Sequence, residues 1–176
     1  LLAFLLMCSA AFAQKATYQE QYRPQIHFSP PAHWMNDPNG MVYYKGVYHL
    51  FYQHYPKGTT WGPMHWGHAT STDMIHWKNQ PIALYPDSLG LIFSGSAVVD
   101  FNNTTGFGKN GNPPLVAIFT HHNQAGEKAG KSDFQNQSLA YSNDNGKTWT
   151  KYKDNPVLKN PGIKDFRDPN VSWYAP

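Results

Sequence analysis

Two of the eleven acidic side chains lie in the same unusual setting, because each is the Asp of an Asp-Pro-Asn triplet. Asp37 lies in the run WMNDPNG at residues 34–40, and Asp168 lies in FRDPN at residues 166–170. The first run brings together an indole that can stack, an amide that can hydrogen-bond and an anion. Sites that process sugars use these three groups, so Asp37 is the centre of the candidate chemistry.

The second triplet directly follows a cation. Arg167 can bind hydroxyls through its fork of donors, and its charge is expected to lower the pKa of Asp168 and keep that carboxyl ionised. An ionised carboxylate suits a nucleophile or a charge stabiliser. Retaining hydrolysis of a glycoside also needs a separate protonated carboxyl, ~5–5.5 Å from the nucleophile. The two aspartates therefore leave the proton donor unassigned.

The other acidic residues have plainer interpretations. Asp73 and Asp144 lie in Ser-x-Asp turns, where a carboxylate satisfies the turn backbone, so both are predicted to be structural. The rest lie in polar segments or near strand ends and are predicted to be solvated: Glu20, Asp87, Asp100, Glu127, Asp133, Asp154 and Asp165.

The elements that must position these groups are predicted to be short strands. The runs at residues 41–44 and 47–52, joined by Lys45-Gly46, are typical of a β-hairpin. No segment has a sustained apolar period of 3.6, and the 14 Gly and 14 Pro interrupt the chain throughout, so the chain is predicted to be all-β. The mixture of Asn, Asp, Pro and Gly at 36–40 predicts a tight turn. Further strands are predicted at 65–70, 92–100, 115–120, 138–142 and 170–174.

An internal repeat indicates how the strands are arranged. Residues 69–84 and 140–158 both run from a strand through a Ser-x-Asp turn and a Trp to a Pro-containing exit. Repeated β units of this size are typical of propeller blades, and SNDNGKTW at 142–149 has the form of an Asp-box hairpin. A blade takes ~40–50 residues and a propeller has ~4–8 blades, so this chain is expected to be a C-terminally truncated, partial propeller.

The first residues are predicted to direct export. Residues 1–13 are apolar and end in Ala-Phe-Ala, which is typical of a secretory signal peptide, and the run is too short for a membrane span of ~20 residues. We expect a lead-in at 14–25, a partial propeller domain at 26–176, and a secreted or periplasmic location. The only cysteine, Cys8, lies in the signal, which excludes disulfides from the mature chain.

Composition argues against other ligand classes. The net charge of +3, with 14% charged residues, gives no electrostatic footprint for nucleic acid. His65 and His68 match no strong zinc spacing, so packing is the preferred interpretation and neither a metal nor a cofactor is predicted.

Six motifs, in this order, together resemble glycoside hydrolase family 32. They are HFSPP at 27–31, WMNDPNG at 34–40, FYQHYP at 51–56, WGHA at 66–69, FSGS at 93–96 and RDP at 167–169. The family contains the invertases, inulinases, levanases and other β-fructosidases. The resemblance extends from about Arg23 to the last residues.

This resemblance implies a five-bladed β-propeller with its active site at one end of the central channel, followed by a β-sandwich. Asp37 would be the nucleophile, and Asp168 would stabilise the transition state by binding fructose hydroxyls. The fructose pocket would be lined by Trp34, Asn36, Gln53, Trp61, Phe93, Ser94 and Arg167. The substrate would be sucrose or a fructan such as inulin or levan.

The resemblance also implies a general acid/base in a Glu-Cys pair after the Arg-Asp-Pro motif. The two glutamates, Glu20 and Glu127, both precede Arg167, and neither precedes a cysteine. The expectation is therefore that the closing blades, the sandwich and the acid lie beyond this chain, that the full-length protein hydrolyses β-fructosides, and that the fragment alone is inactive.

Two alternatives stay open. A non-catalytic propeller that binds fructan or another glycan would lack the downstream Glu-Cys pair, and a fructosyltransferase would share these catalytic residues. A sialidase, which the Asp-box also suggests, is disfavoured because the chain has only Arg23 and Arg167 to bind a carboxylate. Substrate preference, exo or endo action and oligomeric state are not predicted.

Overall fold

Two four-stranded antiparallel sheets follow one another along the chain. The computed structural model describes residues 18–174. The first sheet contains β1 (Trp34–Tyr44), β2 (Val47–Tyr55), β3 (His65–Ser71) and β4 (Lys78–Leu84). The second contains β5 (Leu91–Val99), β6 (Leu115–His122), β7 (Gln135–Ser142) and β8 (Thr150–Lys151), with the short helix α1 (Gln124–Lys128) between β6 and β7. Each sheet is a meander in chain order, as in a propeller blade, so the predicted all-β class and the blade units are confirmed.

The hydrophobic core lies between the two sheets. Aromatic rings of β2 and β3 meet the aliphatic and small side chains of β5, β6 and β7 there. The buried members are Phe51, Trp66, Leu84, Ile92, Ala97, Ala117, Phe119 and Ala140. The indole of Trp66 also donates to the carbonyl of Phe93 on the second sheet, at 3.0 Å. This bond fixes the two sheets at the place where the motifs gather.

The predicted hairpin at 41–52 is confirmed, but the tight turn predicted at 36–40 is wrong. Residues 34–40 continue β1, with register shifts against β2 after Asn36 and after Asn39. Such bulges absorb the residues that cannot pair, and two residues adopt positive φ, Asp37 at 30° and Gly40 at 57°. A side chain at Gly40 would also meet the ring of Phe51 at 2.9 Å. Because β2 pairs with β1 both before and after the bulges, a sequence typical of a turn forms a bulged strand here.

One other predicted strand is absent from the structure, and two observed elements are not predicted. The strand predicted at 170–174 does not form, because within residues 18–174 no backbone ladder pairs with this segment. It is held instead by single bonds to β5, including one from the indole of Trp173 to the carbonyl of Val99 at 2.8 Å. Neither β4, an edge strand that tolerates Pro81, nor α1 is predicted from the sequence.

The Asp-box turns are structural, as predicted. Ser142 donates to Asp144 at 2.8 Å, Asp144 accepts from the backbone of Thr148 at 2.9 Å, and Trp149 donates to the carbonyl of Gly146 at 3.2 Å. Asp73 satisfies its own turn in the same way, by accepting from the backbone of residues 75 and 76.

Asp100 is the clear exception among the carboxylates predicted to be solvated. It is 1% exposed and accepts from both backbone nitrogens of Thr104 and Thr105 at 2.8 Å and from the Thr105 hydroxyl at 2.7 Å. These bonds lower its pKa against the opposing effect of burial, which is the largest single influence. Asp100 therefore organises the loop after β5.

The predicted signal peptide, and the lead-in as far as residue 17, lie outside the described residues. The remaining lead-in is held by Arg23, whose side chain contacts Glu20, the hydroxyl of Ser29 and the carbonyls of Pro30 and Pro31. Within residues 18–174 no helix is long and apolar enough to cross a membrane.

Candidate active site

The two Asp-Pro-Asn runs meet at one small pocket beside the bulged start of β1. Its volume is about 120 Å³. It is lined by Asn36, Asp37, Gln53, Trp61, Phe93, Ser94, Arg167 and Asp168. Eight of the nine residues predicted for the site therefore lie together, although they come from segments that are far apart in the sequence. The ninth, Trp34, does not line this pocket.

Asp37 is exposed, and a residue of the second sheet holds its carboxylate by a hydrogen bond. Ser94 is 8% exposed and donates its hydroxyl to Oδ2 of Asp37 at 3.1 Å. The neighbouring Gly95 lies where β5 shifts register against β6, and a Cβ there would stand 2.0 Å from the carbonyl oxygen of Ile118. Only glycine permits this approach, so the FSGS motif brings Ser94 to Asp37 through the local shape of β5.

Asn36 and Gln53 present amides side by side, because they are paired across β1 and β2. The indole of Trp34 donates to Oδ1 of Asn36 at 2.7 Å, so Trp34 orients this amide instead of lining the pocket. Gln53 is 2% exposed, and its Nε2 has no hydrogen-bond partner among the described residues. A buried donor of this kind at a pocket can be satisfied by a ligand hydroxyl.

Two aromatic rings form one wall of the pocket. Trp61 and Phe93 meet edge to face, with centroids 6.3 Å apart and an interplanar angle of 86°. Trp61 is 45% exposed, so part of its indole is free to contact a ligand. Aromatic surface beside hydrogen-bonding groups suits a sugar ring, which has both apolar and hydroxyl faces.

Asp168 is held by two buried residues that the sequence did not single out. Its backbone nitrogen donates to the hydroxyl of Thr120 at 3.2 Å, and that hydroxyl donates to Gln137 at 2.7 Å. Gln137 in turn donates to the carbonyl of Phe166 at 2.8 Å. Nothing in the spacing of the sequence links these positions, because the bonds cross from the loop to β6 and β7.

Arg167 lowers the pKa of Asp168, as predicted, but the net shift of that pKa is upward, so the carboxyl is not held ionised in the way that the sequence predicts. Burial raises the pKa of Asp168, the nearby charge of Asp37 raises it further, and Arg167 opposes both. The Nε of Arg167 lies 3.6 Å from Oδ2 of Asp168, and the same guanidinium also pairs with Asp165. The two pocket carboxylates are thus electrostatically coupled.

Other ionisable groups of the described residues lie outside the pocket. Glu20 pairs with Arg23, and Glu127 pairs with His122 at 3.1 Å. His65 contacts the carbonyl of Pro63 through Nδ1, and His68 is buried beside His49, so both pack as predicted. No group of three or more potential metal ligands comes together within residues 18–174.

Sequence comparison identifies relatives of one kind. Residues 27–176 match the sequence profile described as the N-terminal domain of glycosyl hydrolases family 32. The chain is 58% identical to a levanase of Bacillus subtilis, over 99% of this chain and 25% of the levanase. It is 46% identical to an extracellular exo-inulinase of Aspergillus niger, over 99% of this chain and 36% of the inulinase. The chain thus spans about a quarter to a third of the length of these curated relatives.

Solved structures show the same relationship. The crystal structure of an exo-inulinase from Aspergillus awamori matches with a TM-score of 0.79 at 44% identity, over 89% of this chain and 34% of that chain. A fructofuranosidase from Schwanniomyces occidentalis complexed with fructose matches with a TM-score of 0.78 at 42% identity, over 93% and 31% of the two chains.

Proposed function

The chain belongs to glycoside hydrolase family 32, and from this premise we propose that the full-length protein hydrolyses β-fructofuranosidic bonds in sucrose or fructans with retention of configuration. The observation that carries the proposal is the pocket itself. Two carboxylates, an unpartnered buried amide donor and an aromatic wall line one cavity, and distant parts of the chain supply them. These groups can bind a fructosyl ring and supply the nucleophile that a retaining hydrolase uses.

We assign the role of nucleophile to Asp37. Its carboxylate attacks the anomeric carbon of fructose, the bond to the glycosidic oxygen breaks, and a covalent fructosyl-enzyme forms. Water then attacks the same carbon and releases fructose. The hydrogen bond from Ser94 holds Asp37 in one orientation, which favours attack along a fixed line.

Asp168, Asn36, Gln53 and Arg167 bind fructose hydroxyls in this proposal. Asp168 accepts hydrogen bonds that strengthen as positive charge develops on the ring, while the amides and the guanidinium donate. Trp61 and Phe93 supply the apolar wall. Trp34 does not contact the fructose in this proposal, but it orients the amide of Asn36, which does.

The leaving oxygen needs a proton, and neither glutamate of the described residues lines the pocket. We assign this step to a carboxyl group that residues 18–174 do not supply. The same group takes the proton of the attacking water in the second step. The remaining propeller blades, the β-sandwich and export of the protein are further parts of the proposal. The extracellular location of the Aspergillus niger relative supports export.

The test is product analysis with the full-length protein on sucrose, inulin and levan. We expect free fructose as the product from at least one of the three. In methanol-containing buffer, we expect the methyl fructoside to form as the β anomer, which reports retention. Binding without turnover would favour a glycan-binding propeller, and transfer to a second sugar in place of water would favour a fructosyltransferase.

A further inference from the structure

The imidazole of His122 lies directly behind the aromatic wall of the pocket. Its ring is stacked on Phe93, with centroids 4.1 Å apart and planes 6° from parallel. Phe134 also packs against the His122 ring in an edge-to-face arrangement, with centroids 5.4 Å apart and an interplanar angle of 83°. His122 is 2% exposed, so it does not reach the pocket itself. From this position the His122 ring can hold the plane of Phe93.

Hydrogen bonds fix the His122 ring within its own plane. Nε2 lies 3.1 Å from the carboxylate of Glu127, and Nδ1 lies 3.3 Å from Nε2 of Gln135. Both contacts are satisfied by one neutral tautomer, in which Nε2 donates to Glu127 and Nδ1 accepts from Gln135. Burial lowers the pKa of His122, against an opposing effect of Glu127, and this agrees with a neutral ring.

Glu127 belongs to α1, whose N-terminal end is anchored through Asn123. Asn123 accepts from the backbone of Gly126 at 2.9 Å as the N-cap, and its own backbone nitrogen donates to the carbonyl of Phe134 at 2.7 Å. The loop that leaves β6 and returns at β7 is therefore closed on itself. A carboxylate held on such a loop can hold the ring that it contacts.

We infer that His122 and Glu127 are positioning residues for the fructosyl pocket, acting through Phe93 and Trp61. Glu127 orients His122, His122 holds the face of Phe93, and Phe93 supports Trp61 in the wall. We call this series of contacts, from Glu127 to Trp61, the relay. This inference rests on the proposed function. It predicts that loosening the relay weakens substrate binding more than it slows bond cleavage, because the carboxylates of Asp37 and Asp168 are positioned by other contacts.

Kinetics of the full-length protein on sucrose test the inference. Loss of one aromatic contact corresponds to about a 3- to 10-fold change in binding. We expect His122→Ala to raise KM about 10-fold and Glu127→Ala about 3-fold, with kcat changed less than KM in both. Glu127→Gln keeps an acceptor for Nε2 and should return KM most of the way to the wild-type value.

The matched control is Asp133→Ala, which removes an exposed carboxylate from the same loop and should leave KM and kcat unchanged. Unchanged KM in both His122→Ala and Glu127→Ala would overturn the inference. The inference would also be overturned if KM were as high in Glu127→Gln as in Glu127→Ala. It would be overturned too by a large fall of kcat in Glu127→Gln, because that fall would indicate that Glu127 acts as a proton donor.

A second measurement keeps the inference separate from the proposed function. In protein labelled at phenylalanine rings, Glu127→Ala should shift the NMR resonances of Phe93, whereas Asp133→Ala should not. If the wild-type protein has no activity on β-fructosides but Phe93 shifts, the proposed function fails and the relay stands. If Phe93 does not shift, the relay is overturned whatever the activity.

Discussion

Asp37 is an exposed carboxylate on a bulged strand, with one fixing bond from Ser94. Asp37→Asn keeps the shape of the side chain but removes the nucleophile, so we expect kcat on sucrose to fall about 10⁴-fold or more, as when other hydrolases lose theirs. Steady-state kinetics of the full-length protein measure this. Asp154→Asn, at an exposed loop carboxylate outside the pocket, is the control and should retain full activity. Substantial activity in Asp37→Asn would remove Asp37 from the chemistry.

Ser94 acts on Asp37 through a hydrogen bond to a charged acceptor. Bonds of this type contribute about 1.5–3 kcal/mol, so Ser94→Ala should lower kcat/KM about 10- to 100-fold while the thermal midpoint changes little. Kinetics and a melting curve on the same sample separate the two effects. A loss of activity that only follows a loss of folded protein would assign Ser94 to stability instead.

At the scale of single residues, the sequence predicted which side chains lie together. Asp37 and Asp168 are marked by unusual neighbours, and both line the pocket. The electrostatics of Asp168 were not predictable, because the sequence shows its cation neighbour but not the burial and the approach of Asp37 that outweigh it. A cation next to a carboxyl in the sequence therefore does not determine the pKa of that carboxyl when burial and a second carboxylate both raise it.

Among the elements, β5 depends most on a single glycine. At Gly95 a methyl group would stand 2.0 Å from a backbone oxygen of β6, so Gly95→Ala must push the two strands apart. We expect about 2–3 kcal/mol lower stability and loss of the Ser94 contact to Asp37. Urea unfolding measures the first and kcat/KM the second. Gly106→Ala, where φ is 72° but no atom lies within 4 Å, should cost only about 1 kcal/mol.

The guanidinium of Arg23 ties together the segment at residues 20–31 that leads into the first sheet. Its nitrogens contact Glu20, Ser29, Pro30 and Pro31, and a lysine cannot reproduce this fork. We expect Arg23→Lys to lower stability by about 1–3 kcal/mol and to speed amide exchange in residues 18–33 while β6 and β7 stay protected. Unchanged exchange in that segment would show that other contacts hold it.

Strands with plain alternation or aromatic runs were predictable, and strands shaped by long-range pairing were not. The hairpin at 41–52 carries its own turn signal, whereas β1 continues through Asn, Asp, Pro and Gly because β2 pairs with it on both sides of the bulges. β4 was missed because Pro81 argues against a strand, and only its place at the sheet edge removes the objection.

For the molecule as a whole, buried histidines link stability to pH. Burial, with the nearby His49, lowers the pKa of His68 to about 3, and burial lowers that of His121 to about 4. The unfolded chain binds these protons near pH 6.5, so stability is fully present above that value and falls as the pH drops. We expect a loss of about 2 kcal/mol per histidine between pH 6.5 and 5.

Chemical unfolding of the full-length protein at several pH values, with His68→Gln for comparison, measures this dependence. The variant should lose less stability on acidification than the wild type, because one proton is no longer taken up on unfolding. Parallel curves for the two proteins would show that His68 does not contribute.

The covalent fructosyl-enzyme is the most direct test of the proposed role of Asp37. Full-length protein turning over sucrose is quenched in acid, digested and analysed by peptide mass spectrometry. We expect one fructosyl group on the peptide that contains Asp37, and none in Asp37→Asn. A fructosyl group on a different carboxylate, or fructose released with inverted configuration and no labelled peptide, would contradict the assignment.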